Sequence, residues 1–87
     1  MKKNYSIIVV SLNTKNYFLE TINSIISQTY TSYEIIVVDG LSIDGTKKKI
    51  LEYKTYLSKI IIEKDNGIYD AMNKGLRKAS GDWVIFM

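Results

Sequence analysis

Residues 33–40 read YEIIVVDG, and this stretch decides the fold. Four β-branched residues follow one another without a polar face, which is typical of a strand buried on both sides of a parallel sheet. The aspartate and the glycine that come next end the strand in a turn. Similar apolar runs at residues 6–10 and 59–62 predict two more buried strands, and WVIFM at residues 83–87 predicts a fourth.

The stretches between these strands have their apolar residues at helical spacing. They predict helices at about residues 17–28 and 46–56, and a third that begins near residue 68. The expected buried faces consist of Phe18, Ile22, Ile25 and Ile26 in the first helix, Ile50 and Leu57 in or just after the second, and Ile68, Met72 and Leu76 in the third. The third helix also carries Ala71, Gly75 and Ala79, which permit close approach to a sheet.

Strands and helices therefore alternate along the whole chain. This order predicts an α/β domain with a Rossmann-like, mostly parallel sheet. Because crossover connections are right-handed, we expect the strand order 3-2-1-4 and helices on both faces of the sheet. The first two helices are expected on one face and the third on the other.

Composition narrows the chemistry. The chain has 87 residues, enough for one domain, and 46% of them are apolar. It contains no cysteine and no histidine, which excludes disulfides, structural zinc and imidazole catalysis. Any chemistry must use carboxylates, hydroxyls, amides, lysines or a metal with oxygen ligands.

Charge and hydropathy indicate neither a nucleic-acid site nor a membrane span. The net charge is only +3, and the one dense basic run, residues 47–49, has no aromatic residues interleaved with it. A solvated helix face is the expected role of this run, and no nucleic-acid partner is expected. No apolar run approaches the roughly 20 residues of a membrane span. We therefore expect a cytoplasmic location.

Polar residues follow each of the first three strands. They are Ser11 and Asn13, then Asp39, and then Asp65 within the stretch EKDNG at residues 63–67. Ligands of parallel sheets bind beyond the carboxyl ends of the strands, so these residues are candidates for one site. An aspartate there can accept a hydrogen bond from a base N–H or a ribose hydroxyl. The alternative, that Asp39 and Asp65 only cap turns, has equal support from spacing alone.

Two common nucleotide signatures are absent from the sequence. The residues after the first strand, NTKN at 13–16, contain no glycine-rich dinucleotide motif, and no phosphate-binding P-loop occurs anywhere. A nucleotide would have to be held by side chains and a metal.

Four motifs in order resemble the family 2 glycosyltransferases of GT-A fold. They are YSIIVVSLN at residues 5–13, SIISQTY at 24–30 with YEIIVVD at 33–39, GLSIDGT at 40–46, and DNGIYDAMNKG at 65–75 with ASGDW at 79–83. The last is most similar to the branch of colanic-acid and exopolysaccharide transferases. The resemblance covers nearly the whole chain.

The resemblance implies a nucleotide-sugar site. Its expected residues are Ser11, Asn13, Asp39, Asp65, Asn73, Lys74 and Gly75. By resemblance, Ser11 and Asp39 contact the nucleobase and ribose, and Asp65 lies against the nucleoside. Asn73 and Gly75 belong to the helix that approaches the diphosphate, although tight helix–sheet packing explains Gly75 equally well.

Two residues depart from the family pattern near this site. Leu12 stands where an aromatic residue commonly stacks on the base, and Met72 stands where many members have an arginine near the phosphates. Binding of the donor phosphates is therefore expected to depend on Lys74 or on a metal.

The implied function is the donor-binding region of an inverting glycosyltransferase in cell-surface polysaccharide synthesis. The donor is a nucleoside-diphosphate sugar, with a UDP-sugar favoured, and the acceptor is a glycan or a lipid-linked sugar. The full-length family uses Mg²⁺ or Mn²⁺ on an Asp-x-Asp motif, which is expected just after Met87. Residues 1–87 thus form a partial domain in which we assign no catalytic residue and no metal ligand.

Three further expectations follow from this partial domain. The chain alone is expected to be inactive, and it is expected to self-associate through its exposed fourth strand. The full-length enzyme is expected in the cytoplasm or at the inner face of the membrane. The alternative functions are a non-catalytic nucleotide-binding or assembly fragment and a nucleotidyltransferase, whose usual glycine-rich basic loop is not present at residues 13–16.

Overall fold

The computed structural model describes residues 4–28 and 32–87, and in these it contains four strands and three α-helices. In chain order they are β1 (Tyr5–Ser11), α1 (Lys15–Ile26), β2 (Tyr33–Asp39), α2 (Thr46–Glu52), β3 (Lys59–Ile62), α3 (Ile68–Lys78) and β4 (Trp83–Phe86). Thr29 and Tyr30, the end of the second motif, lie outside the described residues. No helix in the described ranges is long and apolar enough to span a bilayer.

The four strands form one parallel sheet in the order β3-β2-β1-β4, which confirms the predicted topology. Ser11 at the end of β1 lies opposite Asp39 at the end of β2, and Asp39 lies opposite Ile62 at the end of β3. The carboxyl ends of these three strands are therefore level, and the polar residues that follow them meet at one edge.

Two apolar cores cover the two faces of the sheet. On one face, α1 and α2 bury a core that consists of Ile7, Val9, Phe18, Ile22, Ile25, Ile35, Val37, Ile50 and Leu57. On the other, α3 buries a smaller core of Ile8, Ile36, Val38 and Ala71. The alternation of Ile7, Ile8 and Val9 between the two cores follows from the two-residue period of a strand. The predicted arrangement of two helices on one face and one on the other is confirmed.

The buried face of α3 differs from the predicted one. Ile68 and Leu76 are 62% and 48% exposed, whereas Ala71 and Gly75 are buried against the sheet. The reason is steric, because the branched side chains of the sheet already fill the layer and only small residues let the helix backbone approach. The predicted close approach of Ala71 and Gly75 to the sheet is confirmed, whereas the predicted burial of Ile68 and Leu76 is wrong.

The second helix is shorter than predicted. It ends at Glu52 rather than near Tyr56, and a short 3-10 turn follows at Lys54–Tyr56. Within α2 only Thr46 and Ile50, one turn apart, are buried. Packing against the core therefore stabilises little more than one turn of this helix.

A buried carboxylate fastens the opposite, amino-terminal edge of the sheet. Glu34 Oε2 accepts hydrogen bonds from Ser6 Oγ at 2.6 Å, from Ser80 N at 2.7 Å and from Ser80 Oγ at 2.8 Å. Lys59 Nζ lies 3.4 Å from Glu34 Oε1. Burial raises the pKa of Glu34, but the hydrogen bonds from Ser6 and Ser80 and the charge of Lys59 outweigh it and lower the pKa to about 2. Glu34 is therefore a charged link between three strands and the segment that follows α3.

Candidate functional site

The loops after β1 and β2 are tied together at the carboxyl edge of the sheet. Gly40 N donates to Ser11 O at 3.0 Å. Asn13 N donates to Ser42 Oγ at 2.8 Å, and Asn13 Oδ1 accepts from Ile43 N at 2.8 Å. Asn13 is thus a structural bridge between the two loops, and its amide NH₂ group is the part that is left for a ligand.

Asp39 lies at the base of this edge and is fully buried. Its Oδ2 accepts from Ser42 N at 2.8 Å, and its Oδ1 accepts from Ser42 Oγ at 2.5 Å. The structure therefore gives Asp39 the turn-capping role that the sequence offered as an alternative. Each carboxylate oxygen can accept a second hydrogen bond, so capping and ligand recognition are compatible.

Ser11 and Asp65 both lie next to Gly40, the residue that follows β2. Ser11 is buried, and its Oγ lies 2.9 Å from Thr14 Oγ1. Asp65 Oδ1 accepts from Gly67 N at 3.1 Å. A Cβ added at Gly40 would lie 2.5 Å from Asp65 Oδ2. The carboxylate of Asp65 thus occupies the space beside the end of β2, and Gly40 has no side chain because that space is taken.

Lys74 is held by acceptors of its own chain. Its Nζ lies 2.6 Å from Lys64 O, 3.2 Å from Glu63 Oε1 and 3.6 Å from Asp70 Oδ2. A donor phosphate would have to displace these partners, so the geometry counts against Lys74 as the main phosphate ligand. The side chain of Asn73, one residue earlier on α3, is exposed.

Gly75 packs against the central strand. A Cβ at this position would lie 2.5 Å from Ile8 Cγ2, closer than two carbons can approach. Packing alone is therefore a sufficient reason for glycine here, and contact of Gly75 with a diphosphate stays a prediction.

Asp70, to which the sequence assigned no role, caps the start of α3. Its Oδ2 accepts from Asn66 N at 2.9 Å, and this bond, with the charge of Lys74, lowers the pKa of the carboxyl group. A carboxylate in the first turn of a helix is also favoured by the helix dipole. The aspartate two residues after the helix start was a recognisable signal for this role.

Two leucines are exposed at the carboxyl edge, as is Asn13. Leu12 and Leu41 are 54% and 49% exposed, while Ser11 and Asp39 beside them are buried. Leu41 has a φ of +69°, in the left-handed region. A residue with a Cβ loses on the order of 1–2 kcal/mol there. The sequence pattern gave no sign of this strain, because no glycine or asparagine stands at residue 41.

In residues 4–28 and 32–87, no group of three or more acidic side chains is placed to hold a metal ion. The residues that the structure describes at this edge, Asp39 and Asp65, are engaged by Ser42 and by Gly67. Two carboxylates with no third acidic side chain beside them in these ranges do not form a site that fits the divalent cation implied by the resemblance.

Comparison with known proteins gives a consistent match. The model of the family described as Glycosyl transferase family 2 matches residues 6–87. The chain is 35% identical over 86 residues to the PGL/p-HBAD biosynthesis glycosyltransferase of Mycobacterium bovis, covering 95% of this chain and 34% of that protein. It is 35% identical over 83 residues to the UDP-Glc:alpha-D-GlcNAc-diphosphoundecaprenol beta-1,3-glucosyltransferase WfgD of Escherichia coli, covering 94% and 33%. The chain spans about a third of the length of these relatives.

Solved structures share the fold. The crystal structure of S. aureus TarS in complex with UDP-GlcNAc has a TM-score of 0.87 and 28% identity, covering 97% of this chain and 26% of that one. The mannosyltransferase PcManGT from Pyrobaculum calidifontis, in complex with GDP-Man and Mn²⁺, has a TM-score of 0.81 and 28% identity, with the same coverage of 97% and 26%. The predicted resemblance and GT-A fold are confirmed, whereas the colanic-acid branch stays a prediction.

Proposed function

This chain belongs to glycosyl transferase family 2, and on that premise we propose that it binds the nucleoside-diphosphate sugar donor of a glycosyltransferase. A UDP-sugar is the favoured donor. The proposed acceptor for the whole protein is a glycan or lipid-linked sugar in cell-surface polysaccharide synthesis, with inversion at the transferred sugar. Support comes from the biosynthetic relatives and from TarS, whose complexes contain UDP-GlcNAc and UDP.

One observation carries the proposal: polar residues from three strand ends converge beside Gly40. Ser11 O accepts from Gly40 N at 3.0 Å, Asp39 precedes Gly40, and the carboxylate of Asp65 fills the space where a Cβ at Gly40 would stand. In parallel sheets this edge is where ligands bind. The arrangement gathers two carboxylates at this edge, of which that of Asp39 is buried and that of Asp65 is partly exposed.

The proposed contacts follow from the chemistry of these groups. A carboxylate of Asp39 accepts the N–H of a pyrimidine base, which a uracil offers at its ring nitrogen, and Asp65 accepts a ribose hydroxyl. Asn73 and Gly75 lie toward the diphosphate. Lys74 joins them only when its bonds to Glu63 and Asp70 open.

A divalent cation, when bound, neutralises charge on the leaving diphosphate. Since the described residues do not fit such an ion, its ligands are not assigned to them, and the donor contacts proposed above depend on side chains alone. Location in the cytoplasm or at the inner face of the membrane is part of the same proposal.

Replacement of Asp39 tests donor binding. We expect Asp39→Ala to weaken UDP binding by about 1.5–3 kcal/mol, the range for a hydrogen bond to a charged group. Isothermal titration of the parent and the variant with UDP measures this difference. Equal affinities would contradict a direct contact.

A control separates ligand contact from turn capping. Ser42→Ala removes the hydroxyl that donates to Asp39 Oδ1 and accepts from Asn13 N, but it leaves the carboxylate in place. If Asp39 contacts the base, Ser42→Ala weakens UDP binding far less than Asp39→Ala does. If Asp39 acts only through the turn, the two variants lose affinity to a similar extent.

A further inference from the structure

A surface of mixed apolar and basic character lies on α2 and on the loop that precedes it. One open depression there is lined by exposed residues that include Ile43, Lys47, Lys48 and Leu51. Ile43 is 91% exposed and Leu51 is 48% exposed. Leu51 follows the two lysines by four and three residues, so it lies beside both on the helix surface. These four residues form the α2 patch.

The positive charge of the α2 patch is not compensated. No ion pair joins its two lysines to a carboxylate in the part of the chain that the structure describes. Glu52, the only acidic residue of α2, is already paired, because Lys49 Nζ lies 3.7 Å from its Oε2. Asp44 on the loop accepts from Thr46 N at 3.0 Å. Both lysines lie in the first helical turn, where the helix dipole disfavours cations, so stabilisation of α2 does not account for them.

The exposed side of α3 has similar apolar surface but balanced charge. Ile68 on that helix is 62% exposed. Lys74 Nζ lies 3.2 Å from Glu63 Oε1 and 3.6 Å from Asp70 Oδ2, so acidic side chains there neutralise basic ones. The α2 patch is therefore the surface that combines exposed apolar side chains with an unpaired positive charge, and α3 provides a comparison within the same molecule.

The partner that matches this combination is a bilayer that contains anionic lipids. Its acidic headgroups attract lysines, and the boundary beneath them accepts exposed apolar side chains. The depression is open rather than enclosed, which suits a laterally extended partner. A single-stranded nucleic acid would favour aromatic residues between the lysines, and residues 47–49 contain none.

We propose that the α2 patch is the face with which this protein docks on an anionic lipid surface, its lysines at the headgroups and its isoleucine and leucine in the layer beneath. The proposal rests on the proposed function in one respect, since a lipid-linked acceptor lies in a membrane. The patch adjoins the candidate site, because Ile43 N donates to Asn13 Oδ1 at 2.8 Å. Docking there holds the donor edge close to the membrane that contains the acceptor.

Vesicle flotation tests this docking, because aggregated protein sinks in the gradient and is not counted as bound. We expect the chain to float with vesicles of phosphatidylcholine and phosphatidylglycerol in equal parts, not with phosphatidylcholine alone, and less at high salt. Lys47→Gln combined with Lys48→Gln should lower the partition coefficient about 10–30-fold, at roughly fivefold per lysine. Ile43→Asn should lower it about three- to tenfold, whereas Ile43→Leu keeps the apolar contact and should match the parent.

Matched controls lie on α3. Arg77→Gln combined with Lys78→Gln removes the same net charge at exposed positions, and Ile68→Asn makes the same apolar-to-polar change. Neither should lower the partition coefficient by more than about twofold, because charges remote from the bilayer are screened. Melting curves check that each variant is folded.

The outcomes are distinct. A parent chain that does not float with the acidic vesicles, or that floats equally well with neutral ones, overturns the docking face. Equal losses in the α2 and α3 variants also overturn it, since binding would then follow net charge alone. Titration with UDP is a separate readout: a chain that floats as expected and does not bind UDP sinks the proposed function alone, and one that binds UDP and does not float sinks the docking face alone.

Discussion

Two glycines set how closely the layers of this molecule pack. A Cβ at Gly81 would lie 2.8 Å from the backbone nitrogen of Ser6, and one at Gly75 would lie 2.5 Å from Ile8 Cγ2. Neither position has a positive φ, so the absence of a side chain matters for space alone. At these points the connection after α3 and the helix itself touch the central strand directly.

Gly75→Ala should therefore destabilise the protein. Filling a packed contact costs about 1–3 kcal/mol, which outweighs the gain of about 1 kcal/mol that alanine brings to a helix interior. Urea denaturation measures the difference. Arg77→Ala, at an exposed position of the same helix, is the control and should be nearly neutral. A neutral or stabilised Gly75→Ala would mean that helix and strand are not in contact.

Glu34 makes the stability of the fold sensitive to acid. Its folded pKa of about 2 lies below its ordinary value of 4.5, so the unfolded chain binds the proton more readily. The stabilisation is complete above about pH 4.5 and is lost as the pH falls through 2. At 1.36 kcal/mol per pH unit the loss is at most about 3 kcal/mol.

Denaturation between pH 6 and pH 2 checks this expectation. Glu34→Gln should be less stable than the parent at neutral pH and should lose less stability on acidification. Glu20→Gln, at an exposed position, should follow the parent curve. If Glu34→Gln and the parent lose stability in parallel, other carboxyl groups determine the acid sensitivity.

Individual residue roles were predictable from sequence only where the role depends on position along a strand. Ser11, Asn13, Asp39 and Asp65 were predicted to share an edge because each follows a strand, and they do. The i,i+4 pair of Lys74 with Asp70 follows from helical spacing, but its partners outside α3 were not predictable. Its contact with Glu63 bridges 11 residues and depends on how α3 lies against β3.

At the scale of elements, the two edge strands are protected to different degrees. β3 begins with Lys59, whose charge pairs with Glu34, and is followed by Glu63 and Lys64. β4 contains no charged residue, and Trp83, Ile85 and Phe86 are 67%, 41% and 41% exposed. Among the described residues it pairs only with β1. An uncharged edge strand of this kind invites pairing with another chain.

We therefore expect this 87-residue chain to self-associate through β4. Ile85→Lys should shift light scattering at tens of micromolar toward the monomer, because a lysine on an edge strand discourages pairing. Ile43→Lys adds the same charge on an exposed loop remote from β4 in sequence and is the control. A parent chain that is a stable monomer, or an equal effect of both lysines, would contradict self-association through this strand.

The type of each element was more predictable than the face it buries. Every predicted strand and helix is present, because continuous β-branched runs and helical spacing are strong local signals. For α3 the close approach of the small residues was predicted correctly and the burial of Ile68 and Leu76 wrongly, since periodicity identifies an apolar stripe but not the space available above the sheet. Ala71 and Gly75 are buried because the sheet residues there are large.

For the molecule as a whole, chain order and right-handed crossovers restricted the possible strand orders, and the expected order 3-2-1-4 is the one observed. The site did not follow as fully. Its polar residues could be placed at one edge, but hydrogen bonds such as those from Ser42 to Asp39 and the left-handed Leu41 arise from how two loops meet. These contacts depend on the distances between the two loops, which the pattern of residues along the sequence does not give.

The hydrogen bond between the segment after α3 and β1 has a consequence for synthesis of the protein. Gly81 N donates to Ser6 Oγ across 75 residues, and β4 is the second neighbour of β1. A ribosome that adds about 5–20 residues per second delivers Gly81 roughly 4–15 s after Ser6. Throughout that interval β1 can pair with β2 alone, so one edge of the central strand stays unpaired until β4 is made.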